Sequence, residues 1–341
     1  MRSIEINITD FKNVITHLQN QFGGELKSES GEYTLELDND LAKGTINGIC
    51  FYEGISYVEY DVTFYEDVQI EMRCVESSPL VFMYCSKGSL THDFSLIGKK
   101  ETLGEFQTAI LSASNNDNHR FYFAKDVNIS TSMIHVEKDG AKSSSLHSLN
   151  SQFKKLFPLD SNGTSFSYFG TCNLKIEDQI SQLRNLEAKG LSRALKIRGV
   201  VYMILALEIQ QHTHDVNNSK LNTGSLSRSE MAKIRDISEQ IKEAPEVQYT
   251  VKSLCMEWGL SPAKLQEGFK LMHGRTVTDF IRNVRVEISE GLIKNADMNI
   301  SEVVYSVGLT SRSYFSKIFK EKYNCSPRQY LSQQKVLAAT A

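Results

Sequence analysis

Arg312, Ser313 and Ser316 stand at the start of one amphipathic segment, and Lys317 and Lys320 follow along it. These residues suit recognition chemistry. A guanidinium can hold a guanine edge bidentately, and hydroxyls can bond to either kind of base pair. Ammonium groups neutralise phosphates and position a duplex without reading its sequence. About fifty residues upstream, Ala263, Lys264, Gln266, Glu267 and Lys270 occupy equivalent places. These ten residues are the candidates for contact with double-stranded DNA.

A pattern that occurs twice must position them: a short apolar helix, Gly-Leu, a serine cap, then a longer helix. In the first copy, SLCMEWGLSPAKLQEGFK, Thr250 is a suitable N-cap and Val251, Leu254 and Cys255 recur at helical spacing. Gly259 ends that helix where positive φ is wanted. Leu260 plugs the turn, Ser261 caps the next helix, and Pro262 takes its first position. Leu265 and Phe269 point inward at i, i+4. In the second copy, ISEVVYSVGLTSRSYFSKIFK, the apolar stripe is Ile300, Val303, Val304 and Val307. Gly308 and Leu309 make the turn, Ser311 is the cap with Thr310 beside it, and Phe315, Ile318 and Phe319 face inward. A recognition helix contacts base edges through its N-terminal residues. Arg312, Ser313 and Ser316 are therefore the base-reading candidates, and Lys317, Lys320 and Lys322 the phosphate contacts.

Between the copies, residues 277–294 read as one helix with Phe280, Ile281, Val284, Ile288, Leu292 and Ile293 on its apolar stripe. At about 1.5 Å per residue it spans roughly 27 Å. One turn of DNA is roughly 34 Å, so the connector suits successive major grooves.

Over residues 228–332 the sequence resembles the AraC/XylS family of bacterial transcription regulators. GLSPAKLQEGFK, FIRNVRVE and ISEVVYSVGLTSRSYFSKIFKEKYNCSPRQYL carry the resemblance. It implies a seven-helix DNA-binding domain that acts on promoters, with RNA polymerase as a partner. Arg285 matches the linker-helix arginine of that family, which is structural there. The chain departs from the pattern at Cys255 and Val304, where the family usually has alanine.

The remainder reads as a second domain. Residues 10–21 make a short helix carrying Phe11, Val14, Ile15, Leu18 and Phe22. From 31 to 137 the pattern turns to strands: YTLELD, YVEYDVTFY, QIEMRCVE, LVFMYCS, FQTAILSA, RFYFAK and VNISTSMIHVE. Many short strands suggest a β-sandwich or a small barrel, and the resemblance implies a cupin-like, effector-sensing one. Residues 138–145 read as a loop and 146–157 as a helix with Leu149, Phe153, Leu156 and Phe157 on one side. Helices at 173–187 and 190–211 follow as an antiparallel hairpin. The second carries Leu191, Leu195, Val200, Val201, Ile204, Leu205 and Leu207. Related regulators often dimerise through such a hairpin, so the expectation lies between a homodimer and a hairpin that simply covers the barrel. The fold class is α+β: an N-terminal cupin-like barrel or sandwich with a helical hairpin, and a C-terminal all-α tandem helix-turn-helix domain. The expected divisions are a sensing domain at 1–211, a polar linker at 212–227 and a DNA-binding domain at 228–335.

The charge is uneven. The chain as a whole carries −3, but residues 228–335 hold 17 basic and 13 acidic residues, net +4, leaving −7 on the rest. The basic half is the one that would meet DNA, while the acidic half is repelled by it. No apolar run reaches the roughly 18 residues of a membrane helix. The longest, VVYMILAL, is flanked by Arg198 and Glu208. MRSIEINITDF lacks the apolar core of a signal peptide, so a cytoplasmic location is expected. The six cysteines are scattered, as reduced thiols would be.

Other chemistry is not indicated. His92, His119, His135 and His147 lack the spacing of a metal cupin, and His212 and His214 sit in a polar stretch. There is no nucleophile elbow, P-loop or dinucleotide fingerprint. No enzyme activity, cofactor or metal is expected. The expected function is a DNA-binding transcription regulator, an activator controlled by a small molecule, whose class stays open between sugar, aromatic acid, iron chelate and none. Tyr57, Tyr60, Phe64, Phe82, Tyr84, Phe121 and Phe123 are residues for its pocket or for the core. The alternatives are a ligand-independent regulator controlled by a protein partner and an enzyme domain with a DNA anchor.

Overall fold

Val58, Tyr60, Val62 and Phe64 alternate with smaller or polar residues, and each is at most 2% exposed. In the computed structural model they line the inner face of the strand Ile55–Phe64. The structure describes the chain except residues 9–10, 52–53, 75–77, 115–116, 138–151, 154–155, 158–164, 218–224, 296–297 and 333–341. In chain order the strands are β1 (Arg2–Ile8), β2 (Glu25–Glu29), β3 (Glu32–Asp38), β4 (Ala42–Phe51), β5 (Ile55–Phe64), β6 (Val68–Cys74) and β7 (Leu80–Lys87). Then come β8 (Ser89–Phe94), β9 (Glu101–Gly104), β10 (Gln107–Ser112), β11 (His119–Phe123), β12 (Asn128–Val136) and β13 (Phe166–Cys172). Helix α1 is Phe11–Phe22; after the strands come α2 (Leu174–Arg184) and α3 (Gly190–Asn217).

The strands form two sheets that face one another, in the orders β1-β6-β11-β8-β9 and β13-β10-β7-β12-β5-β4-β3-β2. This is a sandwich of the two alternatives; the sheets do not close into a barrel. β1 pairs in parallel with β6, and among the described residues every other pairing is antiparallel. Inner-face residues of both sheets share one core, to which α1 adds Val14, Ile15, Leu18 and Phe22.

Helices α2 and α3 pack together against the other face of the larger sheet. Arg184 at the end of α2 donates to Glu59 Oε1 at 2.7 Å and to Ser130 Oγ at 2.7 Å. Arg193 on α3 holds Glu32 through both carboxylate oxygens, at 2.8 and 2.9 Å. Phe82, on the same face, meets Phe153 and Phe157 edge-on at 5.6 Å. The expected loop 138–145 and Leu149 lie outside the described residues, and Leu156 is exposed rather than packed.

The polar stretch expected to begin the linker at 212 is still helix to Asn217. Side chains on the outer turns bond to β13, which explains the extension. Gln211 donates to Thr171 O at 2.7 Å, and Asp215 accepts from the Tyr168 hydroxyl at 2.5 Å. Leu191 and Leu195, among the apolar residues carried by this helix, are 76% and 56% exposed.

Glu208 on α3 is fully buried, and its Oε2 has no hydrogen-bond partner among the described residues. Burial pushes its carboxyl well above the usual 4.5. The folded state therefore holds a proton that the unfolded chain releases, and stability falls as pH rises above about 4.5. The slope is about 1.4 kcal/mol per pH unit. Glu208→Gln should remove that slope in urea unfolding at a series of pH values; an unchanged slope would place the titration elsewhere.

Candidate nucleic-acid interface

The chain divides into two compact units, Met1–Thr223 and Gly224–Ala341. The second contains α4 (Arg228–Glu243), α5 (Val251–Trp258), α6 (Pro262–His273), α7 (Val277–Asn295), α8 (Ile300–Ser306) and α9 (Arg312–Tyr323). Residues 327–332 are also helical.

The first helix-turn-helix is α5–α6. Thr250 caps α5 in a reciprocal box with Ser253, and Gly259 takes φ 61°. Ser261 Oγ then accepts from Lys264 N at 3.3 Å, with Pro262 opening α6. Leu254, Leu265, Phe269 and Met272 are buried. The second is α8–α9. Asn299 caps α8 in a box with Glu302, a device the sequence reading missed. Gly308 turns at φ 72°, and Ser311 Oγ accepts from Tyr314 N at 3.2 Å. Phe315, Ile318 and Phe319 anchor α9 inward.

Nineteen residues of α7, roughly 28 Å, join the two helix-turn-helix motifs. Phe280, Ile281, Val284 and Ile293 are buried on it as expected, while Ile288 and Leu292 are half-buried. Arg285 is buried too and donates to Pro245 O at 2.9 Å and Val247 O at 2.8 Å. That fastens the connector to the loop ahead of α5.

The ten candidates are not equally free. On α9, Arg312, Ser313, Lys317 and Lys320 are exposed and Ser316 is half-buried. Arg312 Nη1 donates to Ser301 Oγ at 3.2 Å, which leans the guanidinium towards α8. Lys322 turns away to Glu287 and Asn283, at 2.5 and 2.6 Å, and so faces the connector. On α6, Ala263 and Lys270 are exposed, but the residues between them are engaged. Lys264 binds Glu230 at 2.5 Å. Gln266 Oε1 accepts from Val277 N at 3.3 Å. Glu267 accepts from Ser225 N at 2.7 Å and Ser225 Oγ at 2.5 Å. The Lys264 bond, first of all, holds the Glu230 carboxyl down to about 2. The open polar surface is therefore mainly on α9. Tyr314, in the first turn of α9 and 46% exposed, joins it, although an aromatic in an apolar-periodic helix reads as core.

A family model described as a helix-turn-helix domain matches residues 254–333, from within α5 to beyond α9. The same residues carry both capped turns and the fastened connector. Over those residues the chain carries a helix-turn-helix domain of the AraC type. Similar proteins include the HTH-type transcriptional regulator MtrA of Neisseria gonorrhoeae, 23% identical over 44% of this chain and 50% of that protein. The HTH-type transcriptional activator RhaR of Mannheimia succiniciproducens is 16% identical over 47% of this chain and 55% of its own. The Msm operon regulatory protein of Streptococcus mutans is 24% identical over 61% of this chain and 70% of its own. The chain spans about half the length of the curated relatives it matches, or less, that last protein excepted.

Proposed function

We propose that this chain is a sequence-specific DNA-binding transcription regulator, an activator that works with RNA polymerase in the cytoplasm. One observation carries the reading: two capped helix-turn-helix units present their second helices from a single connector fastened by Arg285. Arg312, Ser313 and Ser316 read bases, and Lys317 and Lys320 hold phosphates. Ala263, Lys264, Gln266, Glu267 and Lys270 form the reading face of the first unit. Lys264, Gln266 and Glu267 would exchange their internal partners for DNA. Among the described residues no helix is long and apolar enough to cross a membrane.

Arg312→Ala should lose about 1–3 kcal/mol on the cognate site and relax one base preference. Lys320→Ala should weaken all sequences about equally and reduce the salt slope by about one. Fluorescence anisotropy on cognate and scrambled duplexes over a range of salt separates the two. Equal losses by both variants on every duplex would remove the distinction between reader and positioner.

Control by a small molecule would act as a population shift: a ligand favouring one arrangement of the N-terminal unit alters promoter occupancy. Helix α3 supports a homodimer, because Leu191, Leu195, Met203 and Val216 leave apolar surface uncovered along its 28 residues. Filling of the sandwich interior favours a second reading, control by a protein partner, unless a ligand binds elsewhere. Phe64 and Phe123 meet at 5.4 Å, Tyr60 and Phe123 at 5.8 Å, and Phe22 and Phe64 at 5.0 Å.

A further inference from the structure

The first reading helix is gripped from its flank, and a glycine makes the grip possible. Gly268 is buried in the middle of α6. A Cβ there would lie 2.3 Å from Ile234 Cγ1 on α4. Glycine weakens a helix interior, but here it lets α4 come close to α6. The head of α4 and the residues just before it run beside the reading helix. Leu226 is buried and fixes that stretch. Ser227 and Glu230 cap α4 in a reciprocal box.

Two residues of the stretch reach α6. Ser225 donates to one Glu267 oxygen from its backbone N at 2.7 Å, and to the other from its hydroxyl at 2.5 Å. Glu230 keeps one oxygen in the capping box, accepting from Ser227 N at 2.9 Å, and puts the other on Lys264 Nζ at 2.5 Å. The Ser225 bonds, that of the hydroxyl first, hold the Glu267 carboxyl below its usual range. Residues 263, 267 and 270 share one helix face, and Ala263 and Lys270 are exposed on it. Glu267 is thus the middle of the surface that α6 would turn to DNA, and it is an anion tied to the stretch ahead of α4. The inward anchors Phe269 and Phe319 correspond, about fifty positions apart, which puts Lys317 where Glu267 stands. Lys317 is exposed. The second helix-turn-helix offers phosphates an exposed cation; the first offers a tethered carboxylate and a lysine already paired.

We propose that residues Ser225–Glu230 form an autoinhibitory latch on α6, so that α9 binds DNA first and α6 engages only when Glu267 and Lys264 leave Ser225 and Glu230. The proposal rests on the DNA-binding reading above and adds regulation to it. A duplex finds α6 ready only in the fraction of molecules with the latch released, so a weaker latch means tighter apparent binding.

The test uses the full chain. Duplexes are selected from a random pool with the Ser225→Ala variant. Arg312→Ala tells the two contact stretches apart, because it relaxes only that of α9. Fluorescence anisotropy then compares the wild type, Ser225→Ala, Ser225→Thr and Glu230→Gln on the selected duplex and on one with the α6 stretch scrambled. Glutamine also serves in a capping box, and the ratio between the two duplexes removes the general effect of the lost charge. On the selected duplex Ser225→Ala and Glu230→Gln should each bind roughly three-fold tighter than the wild type, and the double variant roughly ten-fold. On the scrambled duplex the gain of Ser225→Ala should vanish. Ser225→Thr keeps a hydroxyl and should match the wild type. A selected site with one contact stretch, equal or weaker binding by Ser225→Ala, the same gain on both duplexes, or a gain shared by Ser225→Thr would each overturn the latch. Retention of duplex by the wild type without gain in any variant removes the latch and leaves DNA recognition standing; no retention by any of these chains removes both.

Discussion

Gly308→Val is expected to unfold the second helix-turn-helix unit and abolish DNA retention. Gly308 holds φ 72°, where a β-branched residue is a genuine outlier. A Cβ there would lie 2.3 Å from Glu246 O and 2.7 Å from Glu246 Cα, so backbone must move. Gln248 also donates to Gly308 O at 2.6 Å, and that bond would be disturbed. Strain and clash together should cost about 4 kcal/mol or more. Gly259 is the internal comparison. It too turns at positive φ, but its nearest neighbour for a Cβ is the flexible end of Lys233, at 3.7 Å. Gly259→Ala should therefore cost only about 1–2 kcal/mol, and Gly308→Ala clearly more. Circular dichroism melting ranks the three variants. Equal losses at both glycines would mean that the contact with Glu246 does not matter.

Arg184→Leu should cost about 3 kcal/mol. Glu59 and Glu177 are 7% and 1% exposed, and Arg184 lies 2.7 and 3.8 Å from them. Removing the cation leaves two buried carboxylates without it, the case in which breaking a buried pair costs about 3–5 kcal/mol. The side chain is 35% exposed, which argues for the low end. Glu59→Gln combined with Arg184→Leu should recover part of the loss, because one buried charge disappears with its partner. Urea unfolding of the single and double variants measures this; a double variant weaker by the sum of the two single losses would show no coupling.

Local chemistry made much of the fold readable. A serine and a glycine mark each turn, and Pro262 the first as well, since a cap must lie next to the helix it ends. Strands β3 and β5 were visible because apolar residues alternate in them. β4 was not, because Gly44, Gly48, Thr45 and Asn47 blur its alternation; it is a strand because it lies between β3 and β5. β1 offers only Ile4, Ile6 and Ile8, and its parallel partner is some sixty residues away. Periodicity identified the apolar residues of α3 but not which of them are covered, hence Leu191 and Leu195. At the interface, residue types were legible and their engagement was not. Glu267 meets Ser225 and Lys264 meets Glu230 across 42 and 34 positions, and no local pattern encodes such contacts.

The stretch 245–248 receives Arg285 from the connector through Pro245 O and Val247 O, and takes the second turn through Glu246 and Gln248. The connector and the second turn are thus braced at one stretch just ahead of the first helix-turn-helix motif. If α6 and α9 both enter the duplex, a target whose two contact stretches are set one base pair nearer or farther is expected to bind more weakly. The spacing of the target would then be part of what is recognised.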